Sequence, residues 1–244
     1  MASQHSYDSI LQRFKNGNVL VQAWADYSPG NALIKKVALP PFILSIETAN
    51  TAVTTTEDDL ATARGVRNPL VFEIEDTNPA CLETRIRGIV NYLRSDPDNN
   101  AFVVSAKKVS AILKKMRPKY AKKEPGTPRG SGKSPMERSF AAAVGQGRAV
   151  ITIITKLLAT YAPADANLSK VSMTALVDLI ETENENMQSA LEDYGEANRA
   201  RQKLYKGPQG LEKRRSAILK YLSSFAGLTK SDHYIEYHQA IKGT

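Results

Sequence analysis

The stretch from Tyr27 to Leu70 occurs twice in this chain. Shifted by 134 positions, it falls on Tyr161 to Leu204 without a gap. Tyr27, Pro29, Ala32, Lys36, Val37, Ile46, Glu47, Thr48, Asn50, Asp59, Ala63, Arg67 and Leu70 meet their own residue type at Tyr161, Pro163, Ala166, Lys170, Val171, Ile180, Glu181, Thr182, Asn184, Asp193, Ala197, Arg201 and Leu204. Random pairing at ordinary composition gives only about two or three identities over such a span. The chain therefore reads as an internal duplication, and any fold must accommodate the same unit twice.

Each copy reads as helical. From Ser6 to Tyr27, apolar residues recur at spacings of three and four (Tyr7, Ile10, Leu11, Phe14, Val19, Leu20, Ala23, Trp24), and Asn16-Gly17-Asn18 predicts a kink or weak turn. Tyr27-Ser-Pro-Gly-Asn31 is turn chemistry. A long helix follows, with Pro40 and Pro41 confined to its first turn, where the missing N–H groups would be unpaired anyway. Its seven-residue beat puts Leu39, Ile46, Val53, Leu60 and Arg67 on one line and Phe42, Ala49, Thr56, Ala63 and Leu70 on another. The second copy repeats it as Met173, Ile180, Met187, Tyr194, Arg201 and Leu176, Glu183, Ala190, Ala197, Leu204. About thirty residues make a rod of roughly 45 Å, and the polar intrusions favour one wall of a bundle over a free coiled coil.

A third helix recurs as Leu82-Glu-Thr-Arg-Ile-Arg-Gly-Ile-Val-Asn-Tyr-Leu93 and Leu211-Glu-Lys-Arg-Arg-Ser-Ala-Ile-Leu-Lys-Tyr-Leu222, now offset by 129, so the loop before it is shorter in the second copy. Phe102 to Met116 and Ser231 to Ile241 read as closing helices, the latter with Tyr234, Ile235, His238 and Ile241 on one face. Ser139-Phe140 opens the second copy, and its run Val150, Ile151, Ile153, Ile154, Leu157, Leu158 predicts the most buried helix. The expected fold is all-α: two tandem repeats of an elongated antiparallel three- to four-helix bundle. The repeats are placed at 1–113 and 139–244, with a basic Pro/Gly-rich linker at 114–138. That linker is too charged and too poor in apolar residues to build a core of its own.

This arrangement, with its Tyr-x-Pro turns, long helices, Leu-x6-Ile-x2-Tyr-Leu helices and basic linker ending before Ser139-Phe140, resembles a group of uncharacterised duplicated helical proteins associated with Bacteroidota bacteria. The resemblance implies an all-helical fold and brings no activity, cofactor or substrate.

Charge supplies the functional signal. The net charge of +8 is compatible with nucleic acid, an acidic protein or a membrane surface as partner. No run approaches a membrane span, the start lacks signal-peptide features, and the one cysteine, Cys81, excludes an internal disulfide, so a cytoplasmic protein is expected. The basic residues concentrate at Lys107, Lys108, Lys114, Lys115, Arg117, Lys119, Lys122, Lys123, Arg129 and Lys133, with Tyr120 available to stack on a base. These are the candidate nucleic-acid-binding residues, with Lys213, Arg214 and Arg215 extending the patch if they lie nearby. The bland alternative is a soluble tether.

Other constellations are weaker. Gly126-Thr-Pro-Arg-Gly-Ser-Gly-Lys-Ser134 resembles a phosphate-binding loop, but Thr127 holds the required first glycine position and no apolar strand leads in. Asp232, His233, Glu236 and His238 crowd one segment, yet histidines five apart do not share a helical face. The acidic run Glu181, Glu183, Glu185, Glu192, Asp193 and Glu196 lacks the Glu-x-x-His of di-iron bundles and reads as a solvated face. Arg199, Arg201, Lys203 and Lys206 suit the helix dipole. Neither metal, cofactor nor catalysis is expected. Two functions are: an RNA- or DNA-binding protein acting through phosphate contacts without sequence readout, or a scaffold forming homo-oligomers or part of a larger assembly through its long helices.

Overall fold

A computed structural model describes residues 4–72, 80–116, 135–157, 159–224 and 232–242. Among these residues all extended regular structure is helical: α1 (Gln4–Ala23), α2 (Leu39–Val71), α3 (Leu82–Arg94), α4 (Asn100–Met116), α5 (Pro135–Thr155), α6 (Lys170–Lys206), α7 (Leu211–Ser223) and α8 (Asp232–Lys242). Short 3-10 turns at Ala32–Ile34, Lys36–Ala38 and Ala166–Leu168 lead into the two long helices. Asn31 and Asp165 cap the first and last of these, each accepting a hydrogen bond from the backbone N–H two residues on.

The chain packs as two compact units, Met1–Asp59 with Leu191–Thr244 (unit 1) and Leu60–Ala190 (unit 2). Both units draw on residues 1–113 and on residues 139–244, so one bundle per sequence half does not describe the packing. Helix length is the physical reason. At 1.5 Å per residue, a 33-residue α2 is about 50 Å long, while the 20-residue α1 spans about 30 Å. One small bundle covers only part of such a rod, and α2 and α6 each pass from one unit into the other. In unit 1, α1 lies against α8, which also meets α7; in unit 2, α5 lies against α4, which meets α3.

The heptad reading holds. Leu39, Ile46, Val53, Leu60 and Arg67 are all buried, as are Met173, Ile180, Met187 and Arg201, with Tyr194 half-buried. The second line is half-buried after Phe42 and Leu176, as expected for a narrow seam.

Three expectations change. First, α1 runs unbroken through Asn16-Gly17-Asn18. Gly17 serves a close helix crossing instead: a Cβ there would lie 2.6 Å from Cε2 of Tyr237 on α8. Second, α8 buries Tyr237 and Ile241, while Ile235 faces solvent and Tyr234 and His238 are half-buried. Third, α5 is amphipathic: Phe140, Ala143, Val150 and Ile154 are buried, but Ile151 and Ile153 only partly. It packs through one face like its neighbours, and the apolar run overstated its burial.

Candidate functional site

The matched positions of the two sequence copies make matched contacts. Tyr27 Oη donates to the Ile34 carbonyl (2.9 Å), and Tyr161 Oη to the Leu168 carbonyl (2.7 Å). Each ring meets another tyrosine edge-on, Tyr27 against Tyr221 (5.1 Å) and Tyr161 against Tyr92 (5.2 Å). The Tyr221 and Tyr92 hydroxyls accept from the Ser28 and Ala162 amides, both at 3.1 Å. Glu47 pairs with Lys15 and Glu181 with Arg148. Burial raises the pKa of Tyr27 and Tyr161, helped by the neighbouring Tyr221 and Tyr92 respectively.

Each unit also buries a polar layer. In unit 2 the Arg67 guanidinium lies 4.0 Å from the centroid of the Phe140 ring and donates to Asn68 Oδ1 (3.0 Å). Asn184 Nδ2 donates to the Phe140 carbonyl (3.3 Å). In unit 1 Arg201 lies 4.3 Å from the Tyr7 centroid and donates to Asn198 Oδ1 (2.7 Å). Asn50 Nδ2 donates to Tyr205 Oη (3.1 Å), which donates to the Tyr7 carbonyl (3.0 Å). At 2% and 5% exposure, Arg67 and Arg201 are core residues whose stems and planar heads pack on aromatic rings. The helix dipole therefore does not account for Arg201. These layers fix the register of the long helices; they offer no open surface.

The open, charged surface lies on α4. Lys107, Lys108, Lys114 and Lys115 are all exposed, and their spacing of seven returns both pairs to one helix face about 10 Å apart. Phe102, Ala106, Val109 and Met116 bury the opposite face. Among the described residues, none of the four lysine side chains takes part in an ion pair. Arg117, Lys119, Tyr120, Lys122, Lys123, Arg129 and Lys133 lie outside the described residues, as does the 126–134 phosphate-loop lookalike. Lys213, Arg214 and Arg215 belong to unit 1, whereas α4 belongs to unit 2. Lys213 is exposed; Arg214 is half-buried, 3.9 Å from the centroid of Phe42.

His233 meets the Trp24 ring edge-on at 4.2 Å, and His238 stacks on Tyr234. Among the described residues no three His, Cys, Asp or Glu side chains converge as a metal site would need. Cys81 is fully buried at the start of α3, with Sγ 3.3 Å from Thr84 Oγ1. No helix among the described residues is long and apolar enough to cross a membrane. No protein-family model, curated protein or solved structure matches the chain.

Proposed function

We propose that this is a non-enzymatic nucleic-acid-binding protein that grips phosphate through the lysine face of α4 and the basic segment following it. The observation carrying this reading is four exposed lysines on one face of a helix that contains no acid. Lys114 and Lys115 complement the C-terminal dipole of α4, but Lys107 and Lys108 lie two turns earlier, beyond its reach. Packing does not call for them either. In α8, which meets α1 and α7 as α4 meets α5 and α3, the exposed residues include Asp232, Ile235, Glu236 and Lys242. Ammonium groups displacing counterions from phosphate give salt-sensitive affinity without sequence readout.

We also infer that the chain is a duplication whose copies have exchanged their C-terminal parts. In support, the Tyr221 and Tyr92 hydroxyls bond to Ser28 and Ala162, and Arg67 and Arg201 lie over Phe140 and Tyr7, each time joining residues of different copies.

The test compares binding of mixed RNA and DNA at two salt concentrations with a Lys107→Gln, Lys108→Gln, Lys114→Gln, Lys115→Gln variant. Losing four phosphate contacts lowers the slope of log K against log salt by about three. No binding by the parent protein in low salt, or an unchanged slope in the variant, overturns the reading. Attention then passes to the scaffold alternative and to the face of α2 where Leu44 (62% exposed), Thr48, Thr51 and Thr55 meet solvent.

A further inference from the structure

We propose a second binding site, in unit 1, for a small organic oxyanion, a carboxylate or phosphate monoester carried on an apolar body. A cleft of about 670 Å³ opens between the end of α6 and the start of α7. That volume lies within the roughly 300–1,000 Å³ usual for small-molecule sites. Phe42, Leu204 and Pro208 give it apolar walls; Lys203 and Arg214 give it two cations, and no lining side chain is acidic.

Comparison with the corresponding arginine of unit 2 shows why Arg214 is available. Arg85 stands at the same place in Leu82-Glu-Thr-Arg85 as Arg214 in Leu211-Glu-Lys-Arg214. Arg85 is consumed by structure: Nε donates to the Ala80 carbonyl (2.7 Å), and Nη1 to the Ser172 carbonyl (3.0 Å), the Ser172 hydroxyl (2.7 Å) and the Asn167 carbonyl (3.4 Å). Arg214 keeps the equivalent bonds to the Gln209 carbonyl (3.0 Å) and the Leu33 carbonyl. Ala38 stands where unit 2 has Ser172, so the hydroxyl acceptor is gone. Phe42 replaces Leu176, and the guanidinium lies against its ring instead. Nη1 of Arg214 therefore has one acceptor where Nη1 of Arg85 has three, and Arg214 lines the cleft.

The site is also held in shape. A Cβ at Gly210 would lie 2.8 Å from the Leu204 carbonyl oxygen, so only glycine lets the turn before α7 lie this close to the last turn of α6. A planar guanidinium fixed by stacking and two backbone acceptors is preorganised for a two-oxygen acceptor, and Lys203 adds a mobile charge. The apolar walls favour a ligand with a ring or short alkyl body over a bare ion.

The test titrates the full-length, nitrogen-15-labelled protein with phenyl phosphate and with benzoate, following the Gln209 and Gly210 amides. Saturable shifts are expected for at least one of the two, with phenol, which lacks the anion, and inorganic phosphate, which lacks the apolar body, each binding about tenfold or more weakly. Arg214→Gln also loses the tie to Leu33, so two milder variants carry the argument. Lys203→Gln should weaken binding by about tenfold, and Ala200→Trp, which fills the cleft from its exposed wall, should abolish it. Absence of saturable shifts with both probes up to about 10 mM, well above the weakest affinity two charge-assisted contacts should give, overturns the proposal. So do shifts that persist unchanged in Ala200→Trp.

Discussion

Cutting the chain between α4 and α5 should leave the protein in one piece. The core of unit 1 joins eleven buried residues from the N-terminal side, Tyr7 to Ile46, to six from the C-terminal side, Tyr205, Leu211, Ile218, Leu222, Tyr237 and Ile241. Burying a large apolar side chain contributes about 1.5–3 kcal/mol, so those six alone contribute about 9–18 kcal/mol that separation would forfeit. Unit 2 adds ten more residues from beyond the cut, Phe140 to Ile180. Association of the two fragments costs about 4–15 kcal/mol once, whichever unit is counted, so the pair should hold at micromolar concentration or below. The assay places a site-specific protease sequence within residues 117–134, cleaves to completion, and compares cut and intact protein by size-exclusion chromatography and thermal unfolding. One species of the intact mass with a single cooperative melt is expected, and the fragments should part only in denaturant. Fragments that separate in native buffer, each keeping its helix content and melting temperature, would refute the reasoning, because each half would then be a bundle complete in itself.

Two further outcomes follow from particular side chains. Gly17→Leu should destabilise unit 1 by about 1–3 kcal/mol by driving into Tyr237, whereas Gly65→Ala, on an open face of α2, should stabilise by about 0.5–1 kcal/mol; urea unfolding reads both, and equal effects would remove the close-crossing account. Burial raises the pKa of Tyr27, Tyr161, Tyr205 and Tyr237, so these stay protonated in the fold while their unfolded forms ionise above about pH 10. The unfolded state then binds fewer protons than the folded one, and stability should fall as pH rises past about 10. Absorbance of phenolate set against helix content checks this, and reversible titration of all ten tyrosines near pH 10 with helices intact would contradict it.

The helices and their buried lines were legible because period and turn chemistry are local. Leu39, Ile46, Val53 and Leu60 announce a seam whatever they pack against. Which helices share a unit was not legible. A repeat says that Tyr27 and Tyr161 are alike; it does not say whether Tyr27 meets Tyr92 or Tyr221, since both sit in the same motif. Gly17 was misread for the same reason: its partner, Tyr237, lies 220 positions away, and locally Asn-Gly-Asn has the chemistry of a break. Arg67 and Arg201 read as polar intrusions because the rings they stack on come from α5 and α1. The lysine face of α4 could be read from spacing alone. The cleft could not, since Phe42, Lys203 and Arg214 converge only after folding.

The division of the chain also sets an order of events during synthesis. Unit 2, residues 60–190, is complete while the last helices are still being made, so the middle of the sequence can fold first. Helix α1 is made well before its partner α8; at about 5–20 residues per second, Gly17 waits roughly 10–45 s for Tyr237 and Ile241. Throughout that interval Gly17 lacks the Tyr237 ring that crosses it, although Phe14 can already meet Phe42 on α2. The part of α1 that faces α8 thus stays exposed while the residues between the two helices are made. A chaperone, or α8 from a neighbouring chain on the same message, has that long to reach it first.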